Sequence, residues 1–141
     1  MKIETFPVTY MSMPELRSFP IKVDSLIIAS ESLPSLDLED LTKKHMTMNG
    51  QTVEYNYAVM KDGSIYKLRP EIYESNMAVM PNTLSVVLEG NFQAESLTVE
   101  QEKSLEDLSL LLVDKFSIPW NGILSTDDVI GTNKMGEYFT T

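Results

Sequence analysis

Cysteine is absent from the 141 residues, and histidine occurs once, at His45. No disulfide framework can form, nor a thiolate zinc site, a CxxC redox pair or a cysteine nucleophile. A metal site that needs two imidazoles from one chain is excluded as well, so the usual His/Cys zinc constellations cannot be assembled. Basic residues are also scarce. Eleven Lys and Arg stand against 21 Asp and Glu, for a net charge of -10. Such a surface repels phosphate backbones and anionic lipid alike, which argues against nucleic acid and membrane as partners. No apolar run approaches the roughly 18 residues of a membrane span. The opening Met1-Lys2-Ile3-Glu4-Thr5 has an early Glu and no apolar stretch behind its Lys, so no signal peptide is expected. The lack of Cys fits a reducing cytoplasm.

What remains is the material of one domain, 43% hydrophobic and 23% charged, read as spanning residues 1–141 with an extra segment of unknown role at 1–23. Pro7, Pro14 and Pro20 break that segment, leaving room for a short edge strand around Ile3–Tyr10. Val23–Ala29 ends in a continuous apolar run suited to a strand buried on both faces. Asp37 is placed to cap a helix over 37–47 that stops at Asn49-Gly50. In Thr52–Met60, Val53, Tyr55, Tyr57 and Val59 alternate, predicting one shared face. Lys61-Asp62-Gly63 signals a hairpin returning through Ser64–Leu68. Residues 71–82 read as a long loop, and Leu84–Leu88 as a second buried strand. Thr98-Val99-Glu100-Gln101 has the form of a capping box, in which Thr and Gln side chains satisfy each other's free backbone N–H groups. It opens a helix to about 116, whose broad apolar stripe predicts burial on more than one side. Ile123–Leu124 is a last short strand. Strand, helix, hairpin, strand, helix, strand predicts an α/β fold, a mixed sheet flanked by helices.

Several local strings, taken in this order, carry a family resemblance. Tyr55-Asn56-Tyr57-Ala58-Val59-Met60-Lys61-Asp62-Gly63-Ser64-Ile65-Tyr66 followed by Arg69-Pro70 is one. Asn82-Thr83-Leu84-Ser85-Val86-Val87-Leu88-Glu89-Gly90-Asn91-Phe92 is the second, and Leu97-Thr98-Val99-Glu100-Gln101 the third. Asp128-Val129, Gly131-Thr132, Gly136 and Phe139 complete the set. Over about residues 24–139 the chain resembles the zinc N-acetylmuramoyl-L-alanine amidases, which include phage amidase-type lysozymes and peptidoglycan recognition proteins. The resemblance implies their mixed α/β fold. It also implies three former zinc-ligand positions, and these hold Ala29, Thr126 and Lys134 in place of two His and a Cys. An ammonium at a metal site repels the ion. Tyr55 falls where the family carries the Tyr that polarises the scissile carbonyl, and Thr132 where a Lys or Thr contacts the developing oxyanion. Asn56 replaces the His after that Tyr. Ser30, Tyr55, Ser75, Asn76, Asn82 and Thr132 are the candidates for lining a ligand groove.

Each of these residues also has a plainer role. Tyr55 in an alternating strand reads first as a packing residue. His45 sits near a helix end, away from all three ligand positions. Glu31 departs from the family pattern and reads as facing water. Asp127 and Asp128 read as solvated, with Asp128 structural. These carboxylates are oxygen donors of the kind calcium or magnesium takes, but without the spacing of a known loop site. Without zinc, a Tyr with its usual pKa of about 10 is a poor base. The expectation is therefore a module without metal or cofactor that binds a muropeptide or other peptidoglycan fragment and does not hydrolyse it. The alternative is a phage or prophage interaction or structural component with a protein partner, cytoplasmic or virion-associated. A residual amidase is the third reading.

Overall fold

The apolar runs form the centre of a sheet. The computed structural model describes residues 1–6, 23–49, 55–69 and 82–125. Strand β2 (Ser25–Ser30) and strand β5 (Thr83–Leu88) pair in parallel over six residues, from Ser25 with Thr83 to Ser30 with Leu88. Both are covered on two sides, which is why their sequences run apolar instead of alternating. Around them lie β1 (Ile3–Thr5), β3 (Tyr57–Val59), β4 (Ile65–Lys67) and β6 (Ile123–Ser125). The six strands are ordered β1-β4-β3-β5-β2-β6 among the described residues. Only β3 and β4 pair antiparallel, as the hairpin signal requires. The hairpin turn closes through Gly63 N–H to the Met60 carbonyl at 2.9 Å, with Gly63 at φ +90°, where a side chain would be strained.

Helix α1 (Leu38–Asn49) and helix α2 (Val99–Phe116) cover opposite faces. Leu26 and Ile28 of β2, Leu84, Val86 and Leu88 of β5, and Leu105, Leu108 and Leu112 of α2 form one apolar cluster. Ala29, Val87, Ala58 and Leu68 meet Leu36, Leu38 and Leu41 of the α1 side in the other. The Asp37 cap is present, its Oδ1 accepting Asp40 N–H at 3.1 Å. Gly50 lies outside the described residues, as do 7–22, 51–54 and 70–81, and with them all but Asn82 of the loop expected over 71–82.

Three expectations change. First, Leu110 and Leu111 are 43% and 41% exposed, so α2 is covered on one side only. Second, the capping box is half formed. Thr98 Oγ1 accepts Gln101 N–H at 3.0 Å, but the Gln101 amide donates to the carbonyls of Val59 (3.1 Å) and Glu89 (2.8 Å). Those carbonyls lie where β3 and β5 end beneath the helix, and the amide bridges them, although the Val59 carbonyl also accepts Glu89 N–H at 3.1 Å.

Third, the alternation through Tyr55 fails. Tyr57 and Val59 join the α2-side cluster and Tyr55 the α1-side cluster. The chain bends at Asn56. Its carbonyl accepts from both Leu68 N–H (2.8 Å) and Arg69 N–H (3.3 Å), two residues opposite one, as in a β-bulge. Its N–H turns the other way, to the Ser85 carbonyl at 3.0 Å, and its Oδ1 accepts Ser85 N–H at 3.0 Å. A regular strand directs both backbone groups of a residue toward one neighbour. Asn56 divides them between two and transfers the preceding side chain to the other face.

Candidate functional site

Strand parity places the first site residues. Leu26 and Ile28 face α2, so Ala29 faces α1, and Glu31, just past the end of β2, keeps Ala29's parity. Ala29 is 0% exposed within an apolar cluster that includes the Tyr55 ring, itself 1% exposed. The Tyr55 hydroxyl donates to Glu31 Oε2 at 2.9 Å. Helix α1 lies along this face through Leu38 and Leu41, and Lys44, one turn beyond Leu41, reaches the same carboxylate, its Nζ 3.9 Å from Glu31 Oε1. Glu31 therefore does not simply face water. Its side chain is only 19% exposed.

The segment before α1 is held in place by another carboxylate. Glu89, just past β5, accepts Leu36 N–H at 2.8 Å and Lys61 N–H at 2.9 Å, joining the approach to α1 to the hairpin turn. The position of α1, and with it of Lys44, depends on this clamp.

The remaining sequence candidates distribute unevenly. Ser30 has the parity of Ile28, and its hydroxyl donates to the Gly90 carbonyl at 2.8 Å and accepts Ser32 N–H at 2.9 Å. Asn82 precedes β5, with its carbonyl accepting Asp24 N–H at 3.0 Å, at the end of the parallel strands opposite Glu31. Six residues at about 3.3 Å each separate those ends. Thr126, Thr132, Lys134, Ser75, Asn76 and the pair Asp127 and Asp128 lie outside the described residues. Strand β6 ends at Ser125 opposite Ile28, which brings the chain next to Ala29's strand position just before Thr126. His45 belongs to the α1 backbone, and its side chain is not described. Of the residues singled out, Ala29 and Tyr55 come together. Glu31, a carboxylate that the sequence allowed near the site while reading it as facing water, joins them, as does Lys44, which the sequence did not single out. A separate cavity of about 280 Å³, between Lys2 and Glu4, the hairpin turn and Ser104 of α2, contains none of these residues.

The arrangement limits the chemistry. A phenol has one proton to donate. Here it is directed to a carboxylate, whereas polarising a carbonyl would require it to point at substrate. Among the described residues, the position that the resemblance assigns to a zinc ligand offers nothing to hold the ion. The alanine methyl offers no donor and is enclosed by apolar groups, and the chain's one imidazole belongs to α1. Among the described residues no group of three or more His, Cys, Asp or Glu is placed to hold a metal ion.

No protein-family model and no curated protein sequence matches the chain. Solved structures do. The endolysin N-acetylmuramoyl-L-alanine amidase LysCS from Clostridium intestinale superposes with a TM-score of 0.82 at 23% identity, covering 97% of this chain and 92% of that one. The amidase LysC from the same organism gives 0.80 at 24%, covering 92% and 85%. Bumblebee peptidoglycan recognition protein SA gives 0.75 at 16%, covering 88% and 82%. The chain has the fold of the N-acetylmuramoyl-L-alanine amidases and peptidoglycan recognition proteins. Among the described residues no helix is long and apolar enough to cross a membrane.

Proposed function

We propose that this protein is a non-catalytic, amidase-fold binding module that recognises a peptidoglycan fragment, such as a muropeptide, near the carboxyl end of β2. The observation that carries this reading is the hydrogen bond from Tyr55 to Glu31 beside Ala29. Where an amidase needs a metal ligand, this chain has a buried methyl group. Where it needs a hydroxyl aimed at substrate, the hydroxyl is held by a carboxylate. Binding needs neither, and a sheet end overlain by a helix is a common place for a small-ligand site. Kinship in fold with peptidoglycan recognition proteins supports the ligand class. Ser75, Asn76 and Thr132 remain proposed contacts, and Thr126 and Lys134 proposed former metal positions.

The experiment has two arms. Protein exposed to zinc and then desalted is assayed for bound metal, and titration calorimetry with soluble muramyl peptides measures affinity. Saturable binding with no stoichiometric zinc and no release of peptide from cell walls is the expected result. One equivalent of zinc with release of L-alanyl peptides would establish a hydrolase instead.

The net charge of -10 favours a second reading, a phage or prophage component that contacts another protein, because an acidic surface is poorly matched to an anionic wall. Failure to sediment with purified sacculi, together with no muramyl-peptide binding, would move the assignment there.

A further inference from the structure

Helix α2 carries more apolar surface than one sheet face can cover, and we propose that its outer side docks a basic amphipathic helix of a partner protein. Three of the large apolar side chains exposed among the described residues, Val99, Leu110 and Leu111, belong to this helix. Leu110 and Leu111 are adjacent, 43% and 41% exposed, and stand outside the buried stripe of Leu105, Leu108 and Leu112. Residues three and four apart are neighbours on a helix surface, so the pair has carboxylates one turn before it and one turn after. Glu106 and Asp114 flank Leu110, and Asp107 and Asp114 flank Leu111. Glu106 and Asp114 are exposed. The helix holds the carboxylates of Glu100, Glu102, Glu106, Asp107 and Asp114 against the cations of Lys103 and Lys115 alone. Lys103 is committed to Asp107 at 2.9 Å, and Glu106 adds only a weaker attraction to it. The Lys115 ammonium lies 5.4 Å from the centroid of the Phe116 ring.

This pattern defines its complement. A partner helix sets apolar anchors against the leucine pair and its cations against the acidic rim, the first for affinity and the second for register and choice of partner. A lysine or arginine one turn before and one turn after the anchors meets Glu106 and Asp114. A second copy of this chain does not fit. Pairing the same face antiparallel about Leu110 sets Glu106 against Asp114 at both ends, between molecules that each carry a charge of -10. Helix α2 also lies on the opposite side of the sheet from Tyr55 and α1, so this contact is separate from the ligand reading at the end of β2.

The test titrates the full chain into a fluorescent synthetic helix that carries two adjacent leucines and a lysine one turn before and after them, followed by anisotropy. Two control peptides replace the lysines by glutamates or the leucines by alanines. The peptide with both leucines and lysines is expected to bind about tenfold more tightly than either control. Leu110→Ser combined with Leu111→Ser should weaken that binding about tenfold and leave the melting temperature nearly unchanged, because both side chains are exposed. Glu106→Lys combined with Asp114→Lys keeps the leucines and should reverse the preference in favour of the glutamate peptide. Leu33→Ser, at an exposed leucine elsewhere, should change nothing. Absence of binding, equal binding of the alanine control, or a preference for lysine that survives the charge reversal would overturn the proposal. Dimers in sedimentation that vanish in the serine variant would overturn it in favour of a self-contact, and leucine-dependent binding to phosphatidylcholine vesicles in favour of a lipid surface.

Discussion

The Tyr55 hydroxyl lies 2.9 Å from Oε2 of Glu31, a residue 24 positions earlier in the chain, and donates its proton there. Removing that hydroxyl has a readable cost. Tyr55→Phe keeps the ring in the α1-side cluster and loses only the hydrogen bond, so it should destabilise the fold by about 1–2 kcal/mol. For a domain of this size, that lowers the melting temperature by roughly 3–8 °C. Glu31→Gln should cost less, because an amide oxygen still accepts. Thermal unfolding of the two single variants and the double variant checks this. Independent effects of the two changes would mean that the bond contributes nothing.

Placing a histidine at the proposed former ligand position should not create a metal site. Ala29 is fully buried against Tyr55, Val87 and Ala58 in one cluster, with no space reserved for an imidazole. Ala29→His should lose about 2–4 kcal/mol through overpacking and burial of polar nitrogen. It should gain no tight zinc binding, because the chain has no Cys and no imidazole beyond His45 to complete the set. Urea unfolding with and without zinc measures both. A zinc-dependent rise in the unfolding midpoint would show that the remaining donors converge after all.

Asn56 is expected to be among the least replaceable residues. Its Oδ1 takes Ser85 N–H at 3.0 Å and its Nδ2 donates to the Arg69 carbonyl at 3.4 Å, all within buried structure. Asn56→Ala leaves a strand N–H without its acceptor and should cost about 2–3 kcal/mol. Because the bend sets the face of Tyr55, the same variant should shift the near-ultraviolet tyrosine signal. A large loss of stability with an unchanged spectrum would separate the bend from the hydrogen bond.

Acid should weaken the fold through two carboxylates on one side of the hairpin. The Lys61 ammonium, 2.6 Å away, and then the Asn91 N–H hold the Glu95 carboxyl below its ordinary value of 4.5. Hydrogen bonds from Ser64 hold Asp62 below its ordinary 3.8. Both groups bind protons more weakly folded than unfolded. Their contribution is therefore complete above about pH 4.5 and is lost as the pH falls through the lowered folded values. Glu95→Gln should lower the neutral plateau of a plot of urea midpoint against pH slightly and leave its acid end nearly in place, so that the acid limb flattens. An unchanged acid limb would mean that the Lys61 pair does not form in solution.

Much of the architecture is visible in local sequence because its causes are local. The Asp37 and Thr98 caps, the turn at Lys61-Asp62-Gly63 and the doubly buried runs around Leu26 and Leu84 each rest on a few neighbouring residues. Where the reading fails, a distant partner intervenes. Gln101 looks like the second half of a capping box and instead bridges the carbonyls of Val59 and Glu89, which the β3–β5 pairing, 12 to 42 residues away in the chain, brings beneath the helix. Leu110 and Leu111 widen an apolar stripe, but only one sheet face is available to cover it. Glu31 carried a usable signal, sharing Ala29's parity, and Lys44 continued the face of Leu38 and Leu41. Neither pointed to the other, because nothing local states where α1 crosses the sheet.

Composition by itself determined the most consequential negative, that a chain with no Cys and one His cannot assemble the zinc set of the amidases. The order of residues determined the order and kind of the elements, since caps, turns and apolar periods act over a few neighbours. Only the tertiary structure decided which way Tyr55 faces. The bend at Asn56 is made by hydrogen bonds to Leu68, Arg69 and Ser85, residues 12, 13 and 29 positions away, and an alternating pattern carries no trace of them. That turn brings the Tyr55 hydroxyl to Glu31 and completes, at the end of β2, a site that the linear sequence holds only in separate pieces.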